Sequence, residues 1–422
     1  MGVELNWHEG EHIPSHDGRG DTPAVVWETE PTPLPAAPRE AVTIARSRPA
    51  APRWLRPRLV ALLVGVPLAV VALAAGVLYW RAHQGEQAAR QDIEATLQTL
   101  LDARRDGDQG LLTKLLDPSD PVWQEQQREA LLAAPADGLP DQVRVTSVAL
   151  RGDYALAEVV EVRADGPPLR KRVPLYRVEN VWRLAPGDPA LLGPEGVQQS
   201  THFTVYYRQV DEPFVPDLIN AAEGAYVTLC SELRCRGSGP QLSVRLMPPG
   251  VDGPTFEAGV LVVPSPWQLG VDPAGRPTPA FYHQLTRQIG WRLAQIKAPE
   301  AAPALWSAVG DWAAAELANI ALPDDIAFVK HIRDGRQPLP LDALWRSVAI
   351  DNDARPLIAA QFRLMLTFMQ ESYGPDAVGR LLEGAPRHLH QILRRRFGAD
   401  VQSLEAAWRQ WLKGATIQDA TG

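Results

Sequence analysis

Between Leu59 and Trp80 the chain runs for 22 residues, LVALLVGVPLAVVALAAGVLYW, without a charged side chain. At about 1.5 Å rise per residue, a helix of that length reaches roughly 33 Å, enough to cross the hydrocarbon core of a bilayer. Trp54 and the Tyr79-Trp80 pair flank the run where interfacial aromatic residues belong, and Pro67 is tolerated in a membrane helix. A cleaved signal peptide, with Ala72-Leu73-Ala74 as its small-residue motif, is disfavoured by the long polar segment in front and the over-long apolar core. Arg39, Arg46, Arg48, Arg53, Arg56 and Arg58 precede the run, while only Arg81 and Arg90 follow closely. By the positive-inside rule the N-terminus is cytoplasmic and everything after Arg81 is outside. The expectation is a single-pass cell-membrane protein, anchored through a transmembrane helix within residues 58–81, with extracytoplasmic C-terminal domains.

The 422 residues leave room for two or three domains, and an apolar fraction of 45% is ample for packed cores. A formal net charge of −8 argues against nucleic acid as a partner, because phosphate binding needs a basic surface. Two cysteines, Cys230 and Cys235, are too few for a disulfide scaffold or a thiolate metal site. Residues 1–57 lack a hydrophobic period and are rich in proline, so they read as a disordered tail.

From Gln84 to Leu115 the spacing predicts helix, with one stripe of Ile93, Leu97, Leu100 and Leu101 and a second of Leu111, Leu112, Leu115 and Leu116. A shorter helix is expected from Trp123 to Ala134. The period then changes to two, over Val143–Leu150, Tyr154–Val162, Arg170–Tyr176 and Asn180–Leu184. Arg151-Gly152-Asp153, Asp165-Gly166-Pro167-Pro168 and Glu179-Asn180 are turn chemistry. Helices followed by an antiparallel meander make a small α+β domain over 84–190. Its pattern looks like the curved-sheet nuclear-transport-factor-like fold. Ala185–Ser200 reads as a Pro/Gly-rich linker.

The second outer domain, 200–414, opens with a strand at His202–Arg208 and a helix over Val215–Leu233, with Val215, Leu218, Ala222, Tyr226 and Leu229 on one face. On an unbroken helix Cys230 and Cys235 would lie more than about 7 Å apart, too far for a disulfide. A bridge becomes feasible if the helix unwinds at Arg234, and an oxidising exterior favours it. Strands follow at Gln241–Met247 and Gly259–Val263. Next comes FYHQLTRQIGWRLAQIK, Phe281–Lys297, a helix by the spacing of Phe281, Leu285, Ile289, Leu293 and Ile296. The remainder is helical to Leu412.

From Thr201 to Leu412 these segments resemble the extracellular gluzincin-type proteins of the peptidase MA-like family. The similarity is carried by the opening Phe203, Val205, Tyr207 and Arg208, by Val244 and Leu246, and by Pro303-Ala-Leu-Trp-Ser-Ala-Val-Gly-Asp-Trp312. Glu371-Ser-Tyr-Gly374 and Leu404-Glu-Ala-Ala-Trp-Arg-Gln-Trp-Leu412 add to it. The resemblance implies a zinc site on an H-E-x-x-H helix, with two imidazoles and a glutamate from the next helix as ligands and an open position for water. Here the pentapeptide is His283-Gln284-Leu285-Thr286-Arg287. His283 keeps the first ligand position. Gln284 stands where the general base would be, and Arg287 is a permanent cation that cannot ligate. The downstream glutamate falls on Ala308, between Ser307 and Val309, and Asp311 lies about one turn on.

The expected fold is α+β, with a transmembrane helix, a small α+β domain and a mostly helical gluzincin-like domain. The functional expectation is a pseudoenzyme with no catalytic residue and no cofactor, acting by binding, scaffolding or signalling toward a protein or peptide partner. Arg287 would then pair with Asp311 to keep the old cleft packed, or face the cleft and bind an acidic ligand group. An active zinc peptidase with displaced ligands, such as His283, Asp311 and His331, is the alternative, and a structural cell-envelope protein is a third. His388 and His390, at i and i+2, would face different ways on a helix.

Overall fold

The structure is a computed structural model, describing residues 57–133, 139–164, 166–235, 239–250, 256–257, 259–318, 322–349, 356–385 and 387–414. The proline-rich segment expected as a tail therefore lies outside the described residues, apart from Pro57. The chain divides into two compact units, 1–71 and 72–422.

The first helix, α1 (Pro57–Asp106), runs for 50 residues. The expected membrane crossing is not upheld: among the described residues no helix is long and apolar enough to cross a membrane. Beyond Trp80 the same helix continues through Arg81, Glu86, Arg90, Asp92 and Glu94. The later part of α1 is amphipathic in the expected way. Ala89, Ile93, Leu97 and Leu101 are buried against Val143, Val145, Ala157, Leu175 and Trp182 of the first sheet. The helix does not reach Leu115 unbroken. Gly107 takes a positive φ of 68°, and Asp108 caps α2 (Gln109–Lys114) by accepting the Leu111 N–H. α3 (Pro121–Ala133) follows.

The first sheet is an antiparallel meander of β1 (Gln142–Arg151), β2 (Tyr154–Arg163), β3 (Gly166–Val178) and β4 (Val181–Leu184) in sequence order. Two of the three breaks read from the sequence are turns, whereas Gly166-Pro167-Pro168 instead opens β3 and Asp165 lies outside the described residues. Arg151 pairs with Tyr154 across Gly152-Asp153, and Val178 pairs with Val181 across Glu179-Asn180. Glu179 and Asn180 both have positive φ, 51° and 66°, the two-residue geometry whose twist matches the flanking strands.

Ala185–Ser200 is ordered structure rather than a linker. It contains α4 (Pro189–Leu192), capped by Asp188, and β5 (Glu195–Gln199). β5 is an edge strand of the second sheet, because its backbone pairs antiparallel with β6 (Phe203–Arg208). A 3₁₀ turn (Gln209–Phe214) and α5 (Val215–Glu232) lead to β7 (Leu242–Met247), parallel to β6. β8 (Phe256–Glu257) and β9 (Val260–Pro264) complete the order β5-β6-β7-β9-β8. The helices then follow as α6 (Pro266–Leu269), α7 (Pro279–Lys297), α8 (Pro303–Ala318), α9 (Pro323–Arg333), α10 (Leu341–Ala349), α11 (Pro356–Tyr373), α12 (Ala377–Leu382), α13 (Leu389–Ile392) and α14 (Val401–Gly414).

One continuous core joins this sheet to the helices. It includes Phe203, Val205, the α5 stripe, Phe281, Leu285 and Ile289 of α7, Trp312, Trp345, Phe362 and Trp408. At the end of α5, Arg234 adopts φ 57°. That left-handed residue brings the Cys230 and Cys235 Cα atoms to 4.9 Å, and the two cysteines are disulfide-bonded. Lys297, at the end of α7, holds this corner by donating to the Arg234 carbonyl and to Glu383 Oε1, both at 2.9 Å.

α7 and α8 approach more closely than side chains would normally allow. A Cβ placed at Gly310 would lie 2.6 Å from the Arg287 carbonyl oxygen, and one at Gly290 would lie 2.7 Å from the Ala313 Cβ. Glycine inside a helix costs about 1 kcal/mol relative to alanine, so the two glycines serve the packing of the pair. Gly310→Ala is expected to destabilise the protein by about 1–3 kcal/mol, in the range of an overpacked interior. Chemical denaturation checks this, and an unchanged midpoint would show that the two helices can separate freely.

Candidate functional site

Pro279 occupies the first turn of α7, behind Thr278 at the cap position. Proline is pre-shaped for that place and lacks only an N–H that would have no helical acceptor. With Phe281, Leu285, Ile289 and Leu293 committed to the core, His283, Gln284 and Arg287 fall on the flank between core and solvent.

The structure brings Arg287 and Asp311 together. Arg287 Nε donates to Asp311 Oδ1, and its Nη2 donates to Ser307 Oγ at 3.1 Å. Two residues that the sequence reading did not single out complete the arrangement. Arg363 of α11 places Nη1 3.9 Å from Asp311 Oδ2. It also donates twice to Asp325 Oδ1 of α9, from Nε at 3.1 Å and Nη2 at 2.7 Å. Arg363 and Asp325 are each only 5% exposed. Two guanidinium groups and two carboxylates thus form a chain whose formal charges cancel. Burial pushes the Asp325 carboxyl above its ordinary range, against the lowering pull of Arg363. No local signal marks Arg363 or Asp325. Their pairing crosses 38 residues, and only the packing of α9 on α11 creates it.

His283 stands beside this chain. Burial holds its imidazole below its ordinary pKa; Asp311 pulls the other way, and Arg287 and Arg363 add to the lowering. The ring is therefore neutral at neutral pH. Its Nε2 is buried without a hydrogen-bond partner. His283 and Gln284 line a cleft of about 330 Å³ together with Leu269, Pro279, Ala280 and Leu322.

These residues do not fit a zinc ion. Arg287, where the resemblance would put the second ligand, is bound to Asp311 and Ser307. Ala308, where a carboxylate would be needed, is a buried methyl with 3% exposure. Asp311, the displaced candidate, is shared between two arginines. Among the described residues no group of three or more His, Cys, Asp or Glu side chains is placed to hold a metal ion, so His283, Asp311 and His331 do not converge. His331 instead lies 3.5 Å from Arg336 Nη1.

The other residues of the motif serve packing. Leu404, Trp408 and Leu412 of α14 are buried, and Trp411 Nε1 donates to Glu371 Oε2 at 2.7 Å. His388 and His390 do not face apart. His388 precedes α13 with extended backbone, φ −63° and ψ 140°, so its ring stacks on His390 at 5.7 Å.

No family model matches this chain, and no curated protein and no solved structure matches it.

Removing one partner from a buried pair leaves the other charge without compensation, at about 3–5 kcal/mol. Asp325→Ala is expected to lower unfolding free energy by that amount. Asp311→Ala, whose partner Arg287 is about one-third exposed, should cost less, because solvent screens the freed charge. Denaturant titration of the two variants measures the ordering, and equal losses would contradict it.

Proposed function

We propose that the region from Thr201 to Leu412 is a non-catalytic binding domain of gluzincin-like descent. Its cleft at the start of α7 takes an extended segment of a protein or peptide partner, in a scaffolding or signalling role. The observation that carries this reading is the Arg287–Asp311–Arg363–Asp325 chain beside His283. Where a hydrolase of this kind needs a metal and a base, this protein has self-neutralised charges and an amide, Gln284. A neutral histidine and a glutamine offer hydrogen bonds without chemistry, and Leu269, Pro279, Ala280 and Leu322 offer apolar contact. A cleft with apolar walls and a few convergent polar groups suits a peptide side chain and its adjoining amide. The order of the motif segments along the chain supports descent from a peptide-handling fold.

Two measurements test it. The purified chain, dialysed against micromolar zinc, should retain less than about 0.1 zinc per chain, because the ligand set is incomplete. About one zinc per chain, lost on His283→Ala, would overturn the reading. Against an array of extended peptides, Ala280→Trp should fill the cleft and weaken capture at least about tenfold, or about 1.4 kcal/mol. Undiminished capture by that variant would remove the cleft from the function.

A further inference from the structure

The first sheet meets the α4, 3₁₀ and α6 segments of the distal half along a seam. Beyond the reach of β4, β3 exchanges backbone hydrogen bonds with Val271, just after α6, from Arg170 N–H to Val271 O and back, each at 2.8 Å. Apolar side chains close the seam: Leu156, Leu192, Val210, Phe214, Trp267 and Val271. At its centre lies Asp211, with 0% exposure.

A fully buried carboxyl needs partners, and Asp211 has few. The Ser265 hydroxyl donates to Oδ1 at 2.5 Å, and the same hydroxyl accepts the Trp267 N–H at 3.2 Å. Oδ2 is buried with no hydrogen-bond partner. Across the seam, the Arg172 guanidinium sits over the Trp267 ring, 4.1 Å from its centroid, with Nε 3.8 Å from Glu158 Oε2. A cavity of about 150 Å³, lined by Arg172, Trp267 and Trp123 among others, adjoins this group. Its lining includes Gln127, Lys171 and Gln268, and it is large enough for several waters.

We propose that Asp211, Ser265 and Arg172 form a proton-operated latch on the seam, closed while the Asp211 carboxyl is neutral and loosened when it ionises. In the closed arrangement the proton stays on the carboxyl, Ser265 donates to Oδ1, and Ser265 Oγ accepts the Trp267 N–H. On ionisation the O–H bond breaks, the electron pair stays on the carboxylate and the proton passes to water. The buried anion then gains from drawing Arg172 off Trp267, or from admitting water out of the cavity, and either move separates β3 from α6. Among the described residues, the elements packed against this turn carry Glu195 of β5, Arg208 of β6, and Asp217, Glu223 and Glu232 of α5, and across the seam stand Arg170 and Arg172 of β3, with Glu158 of β2 behind them. Glu212 lies on the turn itself and is exposed. Arg208 is engaged by Glu195 of β5 at 3.0 Å, and Arg172 is the one whose charge acts on Asp211.

The sign follows from the two environments. Burial pushes the Asp211 carboxyl up to about 7, against the lowering effects of Ser265 and Arg172. In a loosened, hydrated seam it returns toward the ordinary value of about 3.9. The closed seam holds one proton more than the open seam between those values. Opening should therefore rise up to about tenfold per pH unit through that window and level off above about pH 7.

Amide hydrogen exchange of the full chain, corrected for the chemical exchange rate, tests this at Arg170 and Val271, with β1–β2 amides as controls. The wild type should show opening at the seam that climbs from pH 5 to pH 7 and then levels, while the controls stay flat. Asp211→Asn, fixed neutral, should remove the climb. Arg172→Gln, which deletes the nearby cation and leaves Asp211 in place, should move the levelling point upward by about one pH unit, or about 1.4 kcal/mol. Seam amides that follow the controls in the wild type, or a climb that survives in Asp211→Asn, would overturn the latch. Should Asp211→Asn fail to fold, an unmoved levelling point in Arg172→Gln would overturn it alone.

Discussion

The close passage of α7 over α8 at Gly290 and Gly310 is the constraint on which the rest of the distal half depends. Backbone approaches backbone there, with the Arg287 carbonyl pressed against the place where Gly310 has no side chain. That contact sets Arg287 and Asp311, one residue beyond Gly310, face to face. It also brings Ala313 under Gly290, so that Trp312 and Leu305 seal into the same core as Ile289 and Leu293. Had either glycine carried a Cβ, the helices would have to part, and the charges between them would be left in poorer contact.

The charge chain is a consequence of this packing and in turn limits what the site can do. Arg363 is almost fully buried, and burial without partners would cost several kcal/mol. Asp325 meets it with two hydrogen bonds, and Asp311 links it to Arg287. Every charge in the row is spent on a neighbour in the row. His283 beside it is held neutral by the same burial and by the two arginines. In such a row each charge has its partner, and the cleft next to it is lined by hydrogen-bonding and apolar groups.

The seam along the first sheet obeys a different rule. There the groups are not matched one to one, because Asp211 has a single hydroxyl donor and a cation that prefers the face of an indole. An unmatched buried carboxyl is costly in either protonation state, and more costly when charged. The distal site thus has its electrostatics resolved, whereas the seam holds an unresolved group where two layers of structure join.

Much of this was legible in the residues. Period-two runs and their turn dipeptides located the first sheet, because alternation and left-handed turn residues are local properties. The α5 and α7 stripes predicted which faces are buried, and Arg234 was the place where the helix had to unwind for Cys230 to reach Cys235. The pairing of Arg287 with Asp311 was also among the expected arrangements. Other features were misread. An uncharged run suggested a membrane span, yet among the described residues no helix is long and apolar enough to cross a membrane. The Pro/Gly-rich stretch after Ala185 suggested a linker, yet β5 finds its partner in β6 and becomes sheet. By itself the sequence determined the local elements, the non-ligating side chains at Arg287 and Ala308, and the presence of one disulfide-capable pair. Only the tertiary structure decided that Arg363 and Asp325 complete the charge chain and that Asp211 lies at the seam. Those neighbours come from distant helices and strands, and no local periodicity encodes which side chains will meet across a core.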